Sequence, residues 1–314
     1  MRSVQLGRTG LTVTVAGLGC GGGSKLGLKA YGEAHAAGIV RAAYDNGITI
    51  FDTATKYGTQ AAVGLGLQGI PRDHYVLSTK FDFVNKADGS IKPTAAFWDA
   101  LEDSLRTLKT DYVDIYHLQG IFHDRYKEIT ERFVPEMIKA REKGKIRFPA
   151  ASEDFPGDLD HKMIRQGLND DFFDVYMLGY NFLNPSARKE ILPQCQKQGV
   201  STLCMYAVRN ALSRPEKLCA AIEAILAAGQ ADPDLLKHDE DLSFLVTSGA
   251  AKSIPEAAYR YVSHTPGMDV CLFGTGSVAH VKENIDAINA PPLPEEMLEK
   301  LEALFGNVDC VSGG

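Results

Sequence analysis

Short apolar runs alternate with helical patterns from one end of the chain to the other. The runs "VAGLGC", "ITIFDT", "YVLSTK", "YVDIYHLQ", "RFPAAS", "FFDVYMLGYN", "VSTLCMY" and "DVCLFG" predict eight strands. Between them the spacing turns helical: Phe97, Leu101, Leu105 and Leu108 recur at i, i+4, i+8 and i+11 and so share one face. Helix punctuation agrees. Gly144 follows "MIKAREK" as a helix-ending glycine, and Ser213 with Glu216 and Ser253 with Glu256 have capping-box spacing, the latter with Pro255 in the first turn.

Strict alternation of strand and helix implies a parallel sheet with helices on its faces, and eight such units close a (β/α)8 TIM barrel. The rival is an open doubly wound sheet. Against it, the glycines of "GLGCGGG" do not form a GxGxxG opening a helix, and no acidic residue follows at the expected spacing. With no Pro/Gly-rich linker to divide the 314 residues, the expectation is a single α/β domain over 1–314.

Composition removes several function classes. Hydrophobic content of 45%, charged content of 23% and a formal net charge of −7 are those of an ordinary soluble protein without a nucleic-acid footprint. Cys20, Cys195, Cys204, Cys219, Cys271 and Cys310 show no CxxC spacing, which fits reduced thiols in the cytoplasm and no metal site. Neither a secretory leader nor a membrane-length apolar run is expected, so the anticipated partner is a small molecule. Nothing in the sequence fixes the oligomeric state.

A barrel gathers its chemistry at the C-terminal ends of its strands. Asp52, Lys80, the pair His117 and Gln119, Ser152 and Tyr206 all fall there. Any one could be a solvated strand end; several converging on one mouth point to a site. Lys80, held charged by Asp52, is expected to lower the pKa of Tyr57, so that a phenol exchanges a proton near neutral pH. Such a phenol suits carbonyl reduction. No side chain supplies a hydride, so a nicotinamide cofactor, NAD or NADP, is implied.

The chain resembles the aldo-keto reductase superfamily. The resemblance rests on "LGRTGLTVTVAGLGCGG", "FDTATKYG", "LSTK", "SLRTLKTDYVDIY", "GKIRF", the "YN" of Tyr180 and Asn181, and "GTGSVAHVKENI", in matching order over nearly the whole chain. It implies an NAD(P)H-dependent barrel interconverting carbonyls and alcohols through an Asp, Tyr, Lys and His tetrad. Asp52, Tyr57 and Lys80 fall on the first three positions; counting from Asp114, the fourth is Gln119. His117 is two residues earlier, so it shares that strand face about 6–7 Å deeper, at ~3.3 Å per residue, where a buried hydrogen-bonded role is the better reading. His123 in the following loop is read as a surface histidine.

The resemblance also assigns cofactor positions. Ser152 keeps its place against the nicotinamide amide, whereas Glu153 and Met177 replace an asparagine and a glutamine. Glu153 could accept from that amide but not donate to it. Tyr206 is expected to stack on the nicotinamide and Arg209 to contact the pyrophosphate. Thr275, Gly276 and Ser277 would offer donors to a phosphate at a helix N-terminus, with Glu283 and Asn284 at the adenine, while Gly274 stands where some members have lysine and His280 lies at the 2′-phosphate position. His280 stands where a guanidinium is expected for a 2′-phosphate, which weakens the preference for NADP.

The leading expectation is therefore an NAD(P)-dependent oxidoreductase acting on an aldehyde, ketone or sugar-like alcohol, with Tyr57 as acid-base and Gln119 orienting the substrate oxygen. The alternative is a dinucleotide-binding barrel of low turnover serving as a sensor or regulatory subunit, motivated by Gln119, Glu153 and Met177. Pocket-shaping loops are expected after the fourth strand and from Arg209 to about Asp241.

Overall fold

A computed structural model describes residues 1–236 and 241–314. Its central feature is a closed barrel of eight parallel strands: β3 (Ala16–Gly19), β4 (Ile50–Asp52), β5 (Val76–Phe81), β6 (Val113–Ile121), β7 (Ile146–Glu153), β8 (Val175–Gly179), β9 (Ser201–Met205) and β10 (Val270–Phe273). All eight coincide with the expected runs, and β10 pairs with β3 to close the ring.

The helices that return the chain are α1 (Leu28–Asp45), α2 (Gln60–Gly66), α3 (Thr94–Leu108), α4 (Tyr126–Glu142), α5 (Lys162–Asp170) and α6 (Ile191–Gln198), then α10 (Ile254–Ser263) and α11 (Ala279–Asn289). Phe97, Leu101, Leu105 and Leu108 are buried on one face of α3, as their spacing requires. Inside the barrel, Ile50, Val76, Ile115, Ala150, Val175, Met177, Leu203 and Val270 form a separate apolar plug. Leu6 and Val13 complete it from below. They belong to an antiparallel hairpin of β1 (Ser3–Gln5) and β2 (Thr12–Thr14), an element the hydrophobic pattern does not announce because both strands are only three residues long.

Two capping expectations separate here. Ser253 caps α10 by accepting from the Glu256 N–H at 3.2 Å. Ser213 does not cap: α7 (Pro215–Ala227) starts beyond it, and its hydroxyl donates to the Arg209 carbonyl at 3.0 Å instead. Gly144, with φ of +69°, follows the end of α4 as expected. Between β9 and α10 the chain makes a long excursion through α7, α8 (Pro233–Leu236) and α9 (Phe244–Thr247). Part of the expected pocket-shaping segment, residues 237–240, lies outside the described residues. A further helix, α12 (Glu295–Phe305), follows the barrel. Among the described residues no helix is long and apolar enough to cross a membrane, and no group of three or more His, Cys, Asp or Glu could hold a metal ion.

Candidate active site

A cleft of about 1380 Å³ opens at the C-terminal end of the barrel. Its floor is built from strand ends. β4 ends in Asp52 and β5 carries Lys80, both buried, with Lys80 Nζ donating to Asp52 Oδ1 at 2.5 Å and to the Thr53 carbonyl at 2.9 Å. Burial alone would lower the Lys80 ammonium, but the Asp52 carboxylate, by its charge and its hydrogen bond, holds it above its ordinary value. The lysine is therefore a permanent cation under the site.

Tyr57 sits above this pair in a short turn, Thr55–Tyr57, with Lys80 Nζ 5.3 Å from its ring centre. Gly21 makes this placement possible, since a Cβ there would lie 2.5 Å from the Tyr57 ring. The sequence predicts a phenol of lowered pKa, and here the structure differs. Burial raises the Tyr57 pKa and outweighs the opposing pull of Lys80, so the hydroxyl stays protonated near neutral pH. The phenol is therefore neutral at rest.

Gln119 stands beside it, its Nε2 3.5 Å from the Tyr57 hydroxyl. The register between β6 and β7 shifts after Leu118, and Gly120 adopts φ of +68°, a conformation costly to any residue with a Cβ. That bulge, anchored by the Gly120 N–H donating to Ser152 Oγ at 3.1 Å, leaves Gln119 facing the cleft. His117 lies below, paired in register with Lys80 and fully buried. Ser78 Oγ donates its single proton to Asp52 Oδ1 at 2.7 Å, so the 3.0 Å contact between Ser78 Oγ and His117 Nε2 is closed by an imidazole N–H. Burial, reinforced by Lys80, pushes the His117 pKa well down. His123 is exposed in the turn after β6 and does not line the cleft.

The positions that the resemblance assigns to the nicotinamide amide are changed in kind. Ser152, Glu153 and Met177 all line the cleft, and the Glu153 carboxylate is already engaged within the protein. Its Oε1 accepts from the Gly179 N–H at 2.7 Å, and both oxygens contact His161 Nδ1, at 2.9 and 3.1 Å. Phe155 stacks on the His161 ring, and Ser186 Oγ meets His161 Nε2 at 3.0 Å. Met177 belongs to the apolar plug. Tyr206 holds φ of +68°; its ring meets Phe155 edge-on and carries the Arg209 guanidinium 4.2 Å from its centre.

The far end of the cleft is lined by Gly274, Thr275, His280, Glu283 and Asn284. Gly276 and Ser277 are not in its wall. The Thr275 hydroxyl is already committed, donating to the Ser277 carbonyl at 3.2 Å and accepting from the Ser277 N–H. No side chain caps α11, so its first turn keeps free N–H groups for an anion. Sequence reasoning missed Lys56, Asp154 and Lys252 in the lining, whereas Arg214 falls in the segment expected to shape the pocket. The first three lie in loops, where no periodic signal marks them; only adjacency to Tyr57, Glu153 and Ser253 could have drawn notice.

A profile described as the aldo/keto reductase family matches residues 18–305. The chain belongs to that family. Similar proteins include an L-galactose dehydrogenase of Arabidopsis thaliana, 27% identical and covering 96% of this chain and 93% of the relative. Among solved structures, the holo form of an aldo-keto reductase from Bacillus halodurans is 26% identical, with a TM-score of 0.75 over 98% of this chain and 97% of that one. A Klebsiella pneumoniae aldo/keto reductase in complex with NADP and acetate, 24% identical over 98% of this chain and 96% of that one, shares the fold at a TM-score of 0.69. This aldo-keto reductase is thus an NAD(P)-dependent oxidoreductase of carbonyls and alcohols. The cleft fits such a dinucleotide at its phosphate and adenosine end, where α11 is uncapped and Arg209 Nε is buried without a partner. At the amide end it offers only Ser152 unchanged.

Proposed function

We propose that the protein interconverts a sugar-like alcohol and its carbonyl, with Tyr57 passing the proton. The observation that carries this reading is the placement of the Tyr57 hydroxyl beside Gln119, over the buried Lys80–Asp52 pair. The cofactor supplies or removes the hydride. The chain's own part is electrostatic and positional. As a carbonyl becomes an alcohol, the Tyr57 hydroxyl donates to the oxygen, and the Lys80 ammonium stabilises the phenolate left behind. Gln119 Nε2 donates a hydrogen bond to that oxygen and orients it. The amide does not titrate, so the proton chemistry rests on Tyr57 alone.

Ser152, Tyr206 and Arg209 would hold the nicotinamide and pyrophosphate, and Gly274, Thr275, His280, Glu283 and Asn284 the adenosine end; Gly276 and Ser277 would act by shaping the turn. NAD and NADP both remain acceptable to a lining with no arginine at position 280. The sugar-like substrate is supported by the dehydrogenase relative's name and by polar Lys56, Asp154 and Asn210 in the lining. Four thiols packed in the core, Cys20, Cys195, Cys204 and Cys271, support a reducing, cytoplasmic setting.

The test is single-turnover absorbance at the nicotinamide band with aldehydes, ketones and sugars. Tyr57→Phe is expected to abolish turnover while leaving cofactor affinity nearly unchanged; retained activity would remove Tyr57 from the proton step. A second reading, a dinucleotide sensor of low turnover, is favoured by the loss of Glu153 to His161. Tight cofactor binding by wild type with no oxidation or reduction of any substrate would establish that reading instead.

A further inference from the structure

Gln119 carries an atom that the proton chemistry leaves unused. The residue is only 7% exposed, it lines the cleft, and its Oε1 is buried with no hydrogen-bond partner. Its Nε2 is turned toward the Tyr57 hydroxyl. A buried carbonyl oxygen without a donor costs stability comparable to a lost hydrogen bond, so a binding cleft that keeps one gains most from a ligand that supplies the donor. An imidazole in its place would present one N–H to the reacting oxygen and no acceptor beside it. A primary amide presents both. Its N–H and C=O lie side by side, spaced much as two oxygens on adjacent carbons.

We infer that Gln119 selects substrates with a hydroxyl on the carbon next to the reacting one: α-hydroxy carbonyls in reduction and vicinal diols in oxidation. The reacting oxygen accepts from Gln119 Nε2 and from Tyr57, while the neighbouring hydroxyl donates to Gln119 Oε1. The bulge at Gly120 keeps the amide in place. Lys56 and Asp154 in the same lining meet further hydroxyls of a longer polyol. This inference rests on the carbonyl reductase reading above and narrows it from sugar-like compounds to one local arrangement of oxygens.

The experiment compares glyceraldehyde with 3-hydroxypropanal, which differ only in the hydroxyl next to the carbonyl, using the protein loaded with reduced cofactor. The expected ratio of kcat/KM is about tenfold in favour of glyceraldehyde, the worth of one neutral hydrogen bond that otherwise leaves a buried acceptor empty. Gln119→His keeps a donor to the reacting oxygen but removes the acceptor, so the ratio should fall toward one whatever the change in absolute rate. Gln119→Met removes both and should lower both rates. Equal use of the two aldehydes by wild type, or a ratio unchanged in Gln119→His, would overturn the inference and leave the reductase reading standing. If neither aldehyde is turned over, calorimetry decides the inference, and the reductase reading falls only if the wider panel of aldehydes, ketones and sugars also fails. Glycerate should then bind the complex with oxidised cofactor about tenfold more tightly than 3-hydroxypropanoate, with the difference lost in Gln119→His. Equal affinities would overturn it.

Discussion

His117 and His161 are both almost wholly buried, 0% and 1% exposed, and yet their proton affinities move in opposite directions. His117 lies in the barrel under the site. Burial lowers its pKa, the Lys80 ammonium lowers it further, and the ring is neutral. His161 lies in the turn between β7 and α5. Burial pulls it down as well, but the Glu153 carboxylate against Nδ1 more than compensates and raises it. Depth alone does not decide the charge of a buried imidazole; the sign of the nearest fixed charge does.

The two histidines also treat their neighbours differently. Beside His117, the Ser78 hydroxyl donates a hydrogen bond to Asp52, and the chain from Asp52 to Lys80 leads toward Tyr57 and the cleft. Around His161, Glu153 is satisfied by the imidazole and the Gly179 N–H, and Ser186 closes the other nitrogen. One network feeds the site. The other engages a carboxylate in the cleft wall.

Breaking the first network should have the largest effect. Lys80→Met should lower turnover by on the order of 10²–10⁴, because the phenolate formed at Tyr57 loses its cation. The same change should raise the His117 pKa, read by NMR titration of the ring; an unmoved His117 would mean that burial alone sets its charge. Next in size is Glu153→Gln. Removing one partner of a buried pair leaves the other uncompensated, and a loss of about 3–5 kcal/mol in urea unfolding is expected, with His161 losing its raised pKa. If stability hardly changes, the pair is not held as described.

A smaller effect follows from pH, with opposite signs at the two rings. His161 has a folded pKa above its ordinary 6.5, so its contribution is complete below 6.5 and is lost as pH rises through the raised value. His117 has a folded pKa below 6.5, so its contribution is present above 6.5 and is lost as pH falls toward the lowered value. Unfolding midpoints across this range should therefore fall on both sides, and Glu153→Gln should remove the alkaline limb only. The smallest effect is expected from His117→Leu, which should flatten the acid limb and change kcat/KM by no more than about threefold, since Ser78 still reaches Asp52. A far larger loss would place His117 in the chemistry.

Much of this arrangement was legible in the residues. Alternating apolar runs and helical spacing were enough for the eight-stranded barrel, because burying one face of each element leaves few ways to pack them. The resemblance, counted from Asp114, gave the fourth position to Gln119, and strand geometry put His117 deeper on the same face; Gln119 lines the cleft and His117 is fully buried. The expectation failed where distant partners compete for one group. Ser213 and Glu216 have capping spacing, but the turn at Asn210–Leu212 draws the serine hydroxyl to carbonyls behind it. Glu153 and His161 are eight residues apart with nothing periodic linking them, and only the turn after β7 brings them together.

Strand order, helix faces and the identity of the residues at the barrel mouth belong to the sequence by itself, because local periodicity and residue type encode them. Tertiary structure alone decided what surrounds those residues: that the Tyr57 phenol rests protonated, that Glu153 pairs with His161, and that Gln119 keeps one oxygen without a partner. Proton affinity and hydrogen-bond vacancy depend on desolvation and on which charges stand within a few ångströms, and those distances exist only once the barrel has closed.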